Sequence, residues 1–248
     1  AVLTAGVDVQ GDRLELHVIG WGRDEEAWSI DYRVIFGDPS GPRVWTDLDA
    51  ALSAIYPHAR AVADLVIRAV AVDTGGQHTK AAYEYCRTRL HRRIWAIKGR
   101  GGPGLPLWPR RPSRTKGKAP LFVIGVDADK DALFARLRLT EPGPGMLHFP
   151  MERDAEFFRQ LTAERVVTRF ERGRPIRLWQ PRREGERNEA LDTTVYAMAA
   201  LHGLISMGLR LNEEADAIGT APAKGAPAPA RPAEPPRVIR SRWMESLS

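Results

Sequence analysis

The sequence predicts an α/β fold: one mixed sheet with helices on its flanks. Two observations carry this. The opening residues read as three successive strands, and the residues after them alternate helical with extended periodicity. A third observation marks the sheet as more than scaffold. Two of its strands and a helix beside it carry an Asp where a hydrophobe is expected, in Gly6-Val7-Asp8-Val9, Val70-Ala71-Val72-Asp73-Thr74-Gly75-Gly76 and Asn188-Glu189-Ala190-Leu191-Asp192.

Residues Val2 to Gln10 are mostly apolar and form the first strand. Gln10-Gly11-Asp12 makes a tight turn. From Arg13 to Gly20 the chain alternates, with Leu14, Leu16 and Val18 opposite Arg13, Glu15 and His17, so a half-buried antiparallel partner is expected. A third strand runs from Ala27 to Phe36. Trp45 to Tyr56 reads as a helix on the spacing of Leu48, Leu52 and Ile55. Leu65 to Val72 is a strand ending at Asp73, Thr79 to Leu90 a helix, and Ile94 to Ile97 a further strand. This order, three strands followed by alternating helices and strands, is that of ribonuclease-H-like folds.

Lys98 to Pro120 is rich in Gly, Pro, Arg and Lys and reads as a long loop. Leu121 to Val126 is a strand, and Asp127 to Leu139 a helix with Leu133, Phe134 and Leu137 inward. Met146 to Phe149 is extended, and Asp154 to Leu161 helical. Glu164 to Glu171 and Pro175 to Gln180 can pair as a hairpin across Gly173. Asn188 to Leu209 is the longest helix, with Asn188 as its N-cap. Thr220 to Pro236 is dominated by Ala and Pro, an extended linker. The hydrophobes return in the last residues around Trp243. The expected organisation is a folded domain over 1–211, a Pro/Ala-rich linker over 212–236 and a docking peptide over 237–248, the last two forming a disordered C-terminal tail. Strand-like sequence begins almost at Ala1, so the chain is expected to be an excised domain or the C-terminal part of something longer.

Composition narrows the chemistry. The chain has 248 residues, 43% of them hydrophobic, enough for a real core. Cys86 is the single cysteine, which excludes an intramolecular disulfide framework and a Cys-based zinc site and fits a reducing compartment. No apolar run is long enough for a transmembrane helix, so no membrane partner is expected. The net charge of +6 is compatible with nucleic acid. Arg87, Arg89, Arg92, Arg93, Lys98, Arg100, Arg110, Arg111, Arg114, Lys116 and Lys118 crowd one region, either a binding surface or a solvated basic face. Gly99-Arg100-Gly101-Gly102-Pro103-Gly104 lacks the Lys-Ser/Thr of a phosphate loop, so ATPase chemistry within this chain is not expected.

The three Asp residues carry the functional reading. Asp8 interrupts a buried strand, beside small or polar Thr4, Gly6 and Gln10 on its own face. Asp73 closes a strand at its carboxyl end, where ligands of α/β sheets collect, although an Asp there can be a turn former. Asp192 shares an inward helix face with Val195 and Ala199, although an Asp early in a helix can serve the macrodipole. Buried carboxylates that converge repel one another, and divalent cations relieve that repulsion. Two hard cations about 3.5–4 Å apart would serve in-line hydrolysis of a phosphodiester. Oxygen-only ligation favours Mg2+ or Mn2+ over zinc. Asp8 is expected to bridge the two ions, with Asp73 and Asp192 each favouring one. Lys130 could meet a phosphate or only solvent, Glu189 reads as a helix-start charge or an outer metal partner, and Trp108 as a base-stacking or a loop-clamping ring. His78, His91, His148 and His202 are scattered, with no metal-ligand spacing.

Several segments match a known pattern. Gly6-Val7-Asp8-Val9-Gln10, Gly20-Trp21-Gly22, Val34-Ile35-Phe36-Gly37-Asp38, Val72-Asp73-Thr74-Gly75-Gly76, Ala96-Ile97-Lys98-Gly99, His148-Phe149-Pro150 and Asn188-Glu189-Ala190-Leu191-Asp192 resemble, in this order, the nuclease region of phage terminase large subunits of the lambda-like GpA family. The likeness spans roughly Gly6 to Leu204. It implies a ribonuclease-H-like endonuclease that cuts concatemeric double-stranded viral DNA in the host cytoplasm. In that family an ATPase motor domain precedes the nuclease, a small terminase subunit binds it, and the C-terminus docks on the capsid portal. Asp8, Asp73 and Asp192 occupy the places of the family's acidic residues. A resolvase or transposase on the same fold, or a DNA- or portal-binding module whose carboxylates only brace the core, would share much of this pattern.

Overall fold

The computed structural model describes residues 1–58, 64–114, 119–171 and 173–220. The antiparallel meander is present as β1 (Val2–Val9), β2 (Arg13–Trp21) and β3 (Ala27–Phe36). Then come α1 (Arg43–Leu52), the short β4 (Ile55–Tyr56), β5 (Leu65–Asp73), α2 (Thr79–Thr88) and β6 (Ile94–Arg100). The chain continues through β7 (Ser113–Arg114), β8 (Pro120–Gly125), α3 (Val126–Arg136), β9 (Leu147–His148) and α4 (Ala155–Leu161). A hairpin of β10 (Glu164–Glu171) and β11 (Arg174–Pro181) precedes α5 (Glu189–Ser206) and α6 (Leu211–Thr220).

The main sheet runs β7-β8-β6-β5-β1-β2-β3-β9, with β4 added to β5 and the hairpin forming a sheet of its own. β1 is the pivot, antiparallel to β2 and parallel to β5. β5, β6 and β8 continue in parallel. This is the ribonuclease-H-like arrangement anticipated from the element order. The odd-numbered residues of β1 (Leu3, Ala5, Val7 and Val9) pack with Val44, Leu48, Tyr85 and Cys86 of α1 and α2. The opposite face carries α5, whose Leu191, Val195, Met198 and Leu201 join Ile19, Trp21, Ala71 and Ile97 in a second core.

The close approach of α5 to β1 rests on Gly6. A Cβ at that position would lie 2.0 Å from the Thr193 carbonyl oxygen and 2.7 Å from the Ala197 nitrogen, so only hydrogen fits between strand and helix. Thr4 reinforces the contact: its hydroxyl donates to the Ala197 carbonyl at 2.7 Å and accepts from the Trp21 indole at 2.8 Å.

This approach corrects one expectation. β2 is not half-buried, because α5 covers its polar face. Glu15 and His17 are fully buried. The His17 ring is held between Thr194 (2.9 Å) and Ser29 (2.8 Å). Burial, with help from Arg153, pushes its pKa down to about 3, so the imidazole is neutral.

Other differences lie at element ends. α1 stops at Leu52, where Ser53 donates to the Asp49 carbonyl at 2.8 Å, and Ile55 and Tyr56 leave to pair with Val66 and Leu65. α2 stops at Thr88, and Arg93 takes a left-handed conformation before β6. α5 ends at Ser206 with Gly208 at φ +99° and the Leu209 N–H returning to the Leu204 carbonyl at 3.0 Å, a Schellman-type close. The expected linker begins later than 212. Residues Leu211–Thr220 form α6, tied down by Asn212 to Asp24 (2.7 Å) and Arg68 to Glu214 (2.7 Å). The rest of the linker and the docking peptide lie outside the described residues.

The loop after β6 is partly ordered by Trp108, which stacks on Phe122 at 4.6 Å and leans on Trp95 at 4.9 Å, so of its two readings the clamp is the one seen. Among the described residues no single helix is long and apolar enough to cross a membrane. Gly6→Ala forces strand and helix apart against backbone atoms and should cost on the order of 3 kcal/mol in denaturant unfolding. Gly11→Ala, with nothing within 4 Å of the added carbon, should cost far less. Equal effects would remove the special place given to Gly6.

Candidate active site

Register places the first two Asp residues. β1 and β5 pair in parallel at Gly6 with Ala71 and Val7 with Val72, so one further step brings Asp8 beside Asp73. Both follow the alternation that points Gly6 and Ala71 toward α5. Asp8 is also the direct partner of Glu15 on β2. Asp192 immediately precedes Thr193, whose carbonyl rests on Gly6. Residues distant in sequence are thus assembled at one end of the sheet, under the first turn of α5.

Their charges act on one another. Asp8 is 4% exposed. Burial raises its pKa to about 8, the charges of Asp192 and Asp73 add to the rise, and the Gln10 amide opposes it by donating to Oδ2 at 2.5 Å. Asp192 is raised to about 7, again chiefly by burial, with Lys130 opposing and Glu164, Asp73 and Glu189 adding. Asp73 is raised by burial and restrained by the Gly75 N–H, 3.0 Å from its Oδ2, the Thr74 N–H and the charge of Lys98. The Tyr196 phenol, buried among the same carboxylates, is pushed well above its ordinary range and stays neutral.

The neighbouring glutamates are treated differently. Glu15 accepts from Arg13 (2.7 Å), Arg187 (2.7 Å) and the Tyr32 hydroxyl. Glu189 accepts from Arg13 (2.5 Å) and Arg187 (3.2 Å), so it is an ion-pair partner beside the site. Glu164 is held by Lys130. Among the described residues, no Lys or Arg forms an ion pair with Asp8 or Asp73, and the one that reaches Asp192 stands 3.9 Å away. Basic side chains therefore neutralise the glutamates and leave the aspartates as the acids without a close counter-charge.

Position and orientation part company here. Among the described residues no three His, Cys, Asp or Glu side chains are arranged so as to hold one metal ion. Asp73 turns back onto its own turn at Gly75, and Asp8 is engaged by Gln10. The donor set, buried oxygens with no Cys or His among them, suits a hard divalent cation. Coordination would require those side chains to exchange these bonds for the ion.

Several functional neighbours escaped sequence reading. Asn188 stands at the N-cap position but makes no capping bond; its amide donates instead to Glu164 (3.0 Å) and Asp192 (3.1 Å). Lys130 meets neither open solvent nor an exposed phosphate site, being buried against Glu164. The basic region splits in two. Arg87 pairs with Glu84, and Arg89 and Arg92 with Asp49, on the helical face away from α5. Lys98 and Arg100 remain exposed on β6, the strand that pairs Ile97 with Asp73, and Arg110 and Arg111 are exposed in the loop before β7; Lys116 and Lys118 lie outside the described residues.

Comparison with known proteins shows the family of the chain. The family model for the terminase large subunit gpA endonuclease domain matches residues 1–214. The chain belongs to that family. The large terminase subunit of Escherichia phage lambda is 38% identical over 213 residues, and that of Enterobacteria phage P21 is 34% identical over 210. These matches cover 83% and 80% of this gpA-family domain but 33% and 32% of the two relatives, so the chain spans about a third of their length. Among solved structures, the nuclease domain of the large terminase from bacteriophage SPP1, determined with bound Mn, matches 80% of this chain and 85% of its own, at 13% identity and a TM-score of 0.39.

The raised acids set a pH dependence for the gpA-family domain without metal. In the folded state Asp8 (about 8) and Asp192 (about 7) keep protons that an unfolded carboxyl, near 3.8, has released. These two acids therefore bind more protons in the native state between about pH 4 and 8, while His17, neutral in the fold but protonated below about 6.5 when unfolded, opposes them at the acidic end, so the fall in stability with rising pH is steepest above about 6.5. With a chelator present, the melting temperature should drop between about pH 5 and pH 8. Asp8→Asn should melt above the parent at the upper end. A melting temperature that climbs across this range would contradict the assignment.

Proposed function

We propose that this domain is the metal-dependent endonuclease of a viral DNA-packaging terminase, cutting concatemeric double-stranded DNA by phosphodiester hydrolysis. The observation that carries the reading is the assembly of Asp8, Asp73 and Asp192 at one sheet end, without close counter-charges, in a chain of the gpA endonuclease-domain family. The bound Mn of the SPP1 domain belongs to that protein. For this chain the case rests on its own buried, oxygen-only donors.

Asp8, Asp73 and Asp192 would hold two divalent cations, Mg2+ or Mn2+. When bound, the ions would supply the positive charge that in-line attack on a phosphodiester demands. The chain's own residues do the rest. Gly6 sets the distance from helix to strand, Asn188 fixes one oxygen of Asp192, and Gln10 steadies Asp8. Arg13 and Arg187 keep Glu15 and Glu189 neutralised beside the site. Lys98, Arg100, Arg110 and Arg111 offer a cationic track for the duplex that starts next to Asp73.

In the complete protein an ATPase motor domain would position this nuclease on DNA, a terminase small subunit would select the site, and the C-terminal peptide would engage the portal, all within the host cytoplasm. Asp8→Asn, Asp73→Asn and Asp192→Asn should each lower Mn2+-supported cleavage of linear duplex at least about a hundredfold, and a chelator should abolish it. Retention of cleavage by all three variants would leave the carboxylates as core bracing only. Duplex binding should weaken steeply with salt. Replacing Lys98, Arg100, Arg110 and Arg111 with Ala should flatten the slope of log K against log salt by roughly 3.6, at about 0.9 per phosphate contact. An unchanged slope in a filter-binding titration would place the duplex elsewhere.

A further inference from the structure

Lys130 lies early in α3, where that helix meets α5 and the start of β10. Its side chain is 9% exposed. Nζ donates to both carboxylate oxygens of Glu164, at 2.8 Å each, and stands 3.9 Å from Oδ1 of Asp192. The amide of Asn188 closes the figure, donating to Glu164 Oε1 at 3.0 Å and to Asp192 Oδ2 at 3.1 Å. Three separate elements thus contribute an ammonium, an amide and two carboxylates to one small polar ring. Packing alone does not call for this. A buried ion pair gives little net stability over an apolar pair of the same shape, whereas this one sets a positive charge and a masked carboxylate directly beside Asp192.

We infer that Lys130 and Glu164 are a positioning pair for the divalent-cation site: Lys130 keeps Glu164 from closing on the ion at Asp192, and its own charge limits how tightly that ion is held. The inference rests on the reading of Asp192 as a ligand given above. It assigns opposite consequences to the two partners. Without Lys130, Glu164 becomes an unmatched carboxylate next to Asp192 and adds both a ligand and a negative charge. Without Glu164, Lys130 becomes an unmatched cation close to Asp192 and opposes the ion. A role limited to folding predicts loss in the same direction for both.

The test is calorimetric titration of the full chain with Mn2+ alone, with melting temperatures recorded alongside. Lys130→Met should bind Mn2+ roughly tenfold more tightly and Glu164→Gln roughly tenfold more weakly than the parent. The double variant, which removes both charges together, should return to within about twofold, as should Lys130→Arg. If a single variant fails to fold, the double variant and Lys130→Arg decide: a folded double variant with Mn2+ affinity shifted tenfold or more overturns the inference. So do single variants that shift affinity in the same direction. Asp192→Asn separates the two levels of the argument. Should the parent show no Mn2+ uptake that Asp192→Asn removes, the ligand reading fails and the role of the pair fails with it. Should that uptake be present while the opposed shifts are absent, only the role of the pair fails.

Discussion

The contact of α5 with β1 at Gly6 is the constraint on which the rest of the molecule depends. It lets helix backbone rest on strand backbone with no side chain between them. Without it, Asp192 could not be brought under the same sheet end as Asp8 and Asp73, and the polar face of β2 would meet water. A helix pressed this closely must be apolar over most of its surface, and α5 is buried along nearly its whole length. The few polar groups it covers are satisfied individually: Thr4 on the helix carbonyl, His17 between two hydroxyls, Glu15 between two guanidiniums. A site built on such a contact is held by rigid elements, and its geometry does not rely on the loops that line it.

Charge is distributed with the same selectivity. Around the sheet end stand Asp8, Asp73, Asp192, Glu15, Glu164 and Glu189, against Arg13, Arg187 and Lys130. The cations are not shared evenly. Each glutamate has one or two at hydrogen-bonding distance, and the aspartates have none. Burying an acid without a partner is costly, and here the cost appears as protons retained by Asp8 and Asp192. The folded chain thus leaves these acids without a close counter-charge while pairing each neighbouring glutamate with a base.

Much of the fold was legible in the sequence. The meander, the alternating helices and strands and the hairpin across Gly173 follow from local periodicity, and the structure places each of them within a few residues of expectation. Asp8 could be singled out because a carboxylate amid Val7 and Val9 has no ordinary strand role. Glu15 could not, because alternation alone reads a polar face as a wet face, and only tertiary packing reveals that α5 lies over it. The basic region was misjudged for a related reason. Proximity along the chain says nothing of Asp49, which gathers Arg89 and Arg92 from another element. Asn188 showed its position and not its task. A residue suited to capping was diverted to Asp192 in the first turn of its own helix and to Glu164, which lies too far along the chain for local pattern to suggest it. α6 was lost to the Ala and Pro that follow it, although Leu211 and the polar ties of Asn212 and Glu214 were enough to hold a helix.

What the aspartates do before an ion arrives follows from the same balance. Asp73 takes the Gly75 N–H and Asp8 takes the Gln10 amide because unpaired buried oxygens are worse than locally bonded ones. Under the proposed function, an incoming divalent cation would displace the protons that burial holds on Asp8 and Asp192. Cation uptake would then be coupled to proton release and would grow stronger as pH approaches the raised values of these acids. Under the proposed function, the position of the site is fixed by the Gly6 contact while its final orientation would be set by the ion. Position is set by packing that does not titrate, and orientation by hydrogen bonds weak enough to exchange. A carboxylate cluster frozen in the ligating pose would have to bear its full mutual repulsion in every metal-free molecule, and the sheet end would be the first part of the fold to open.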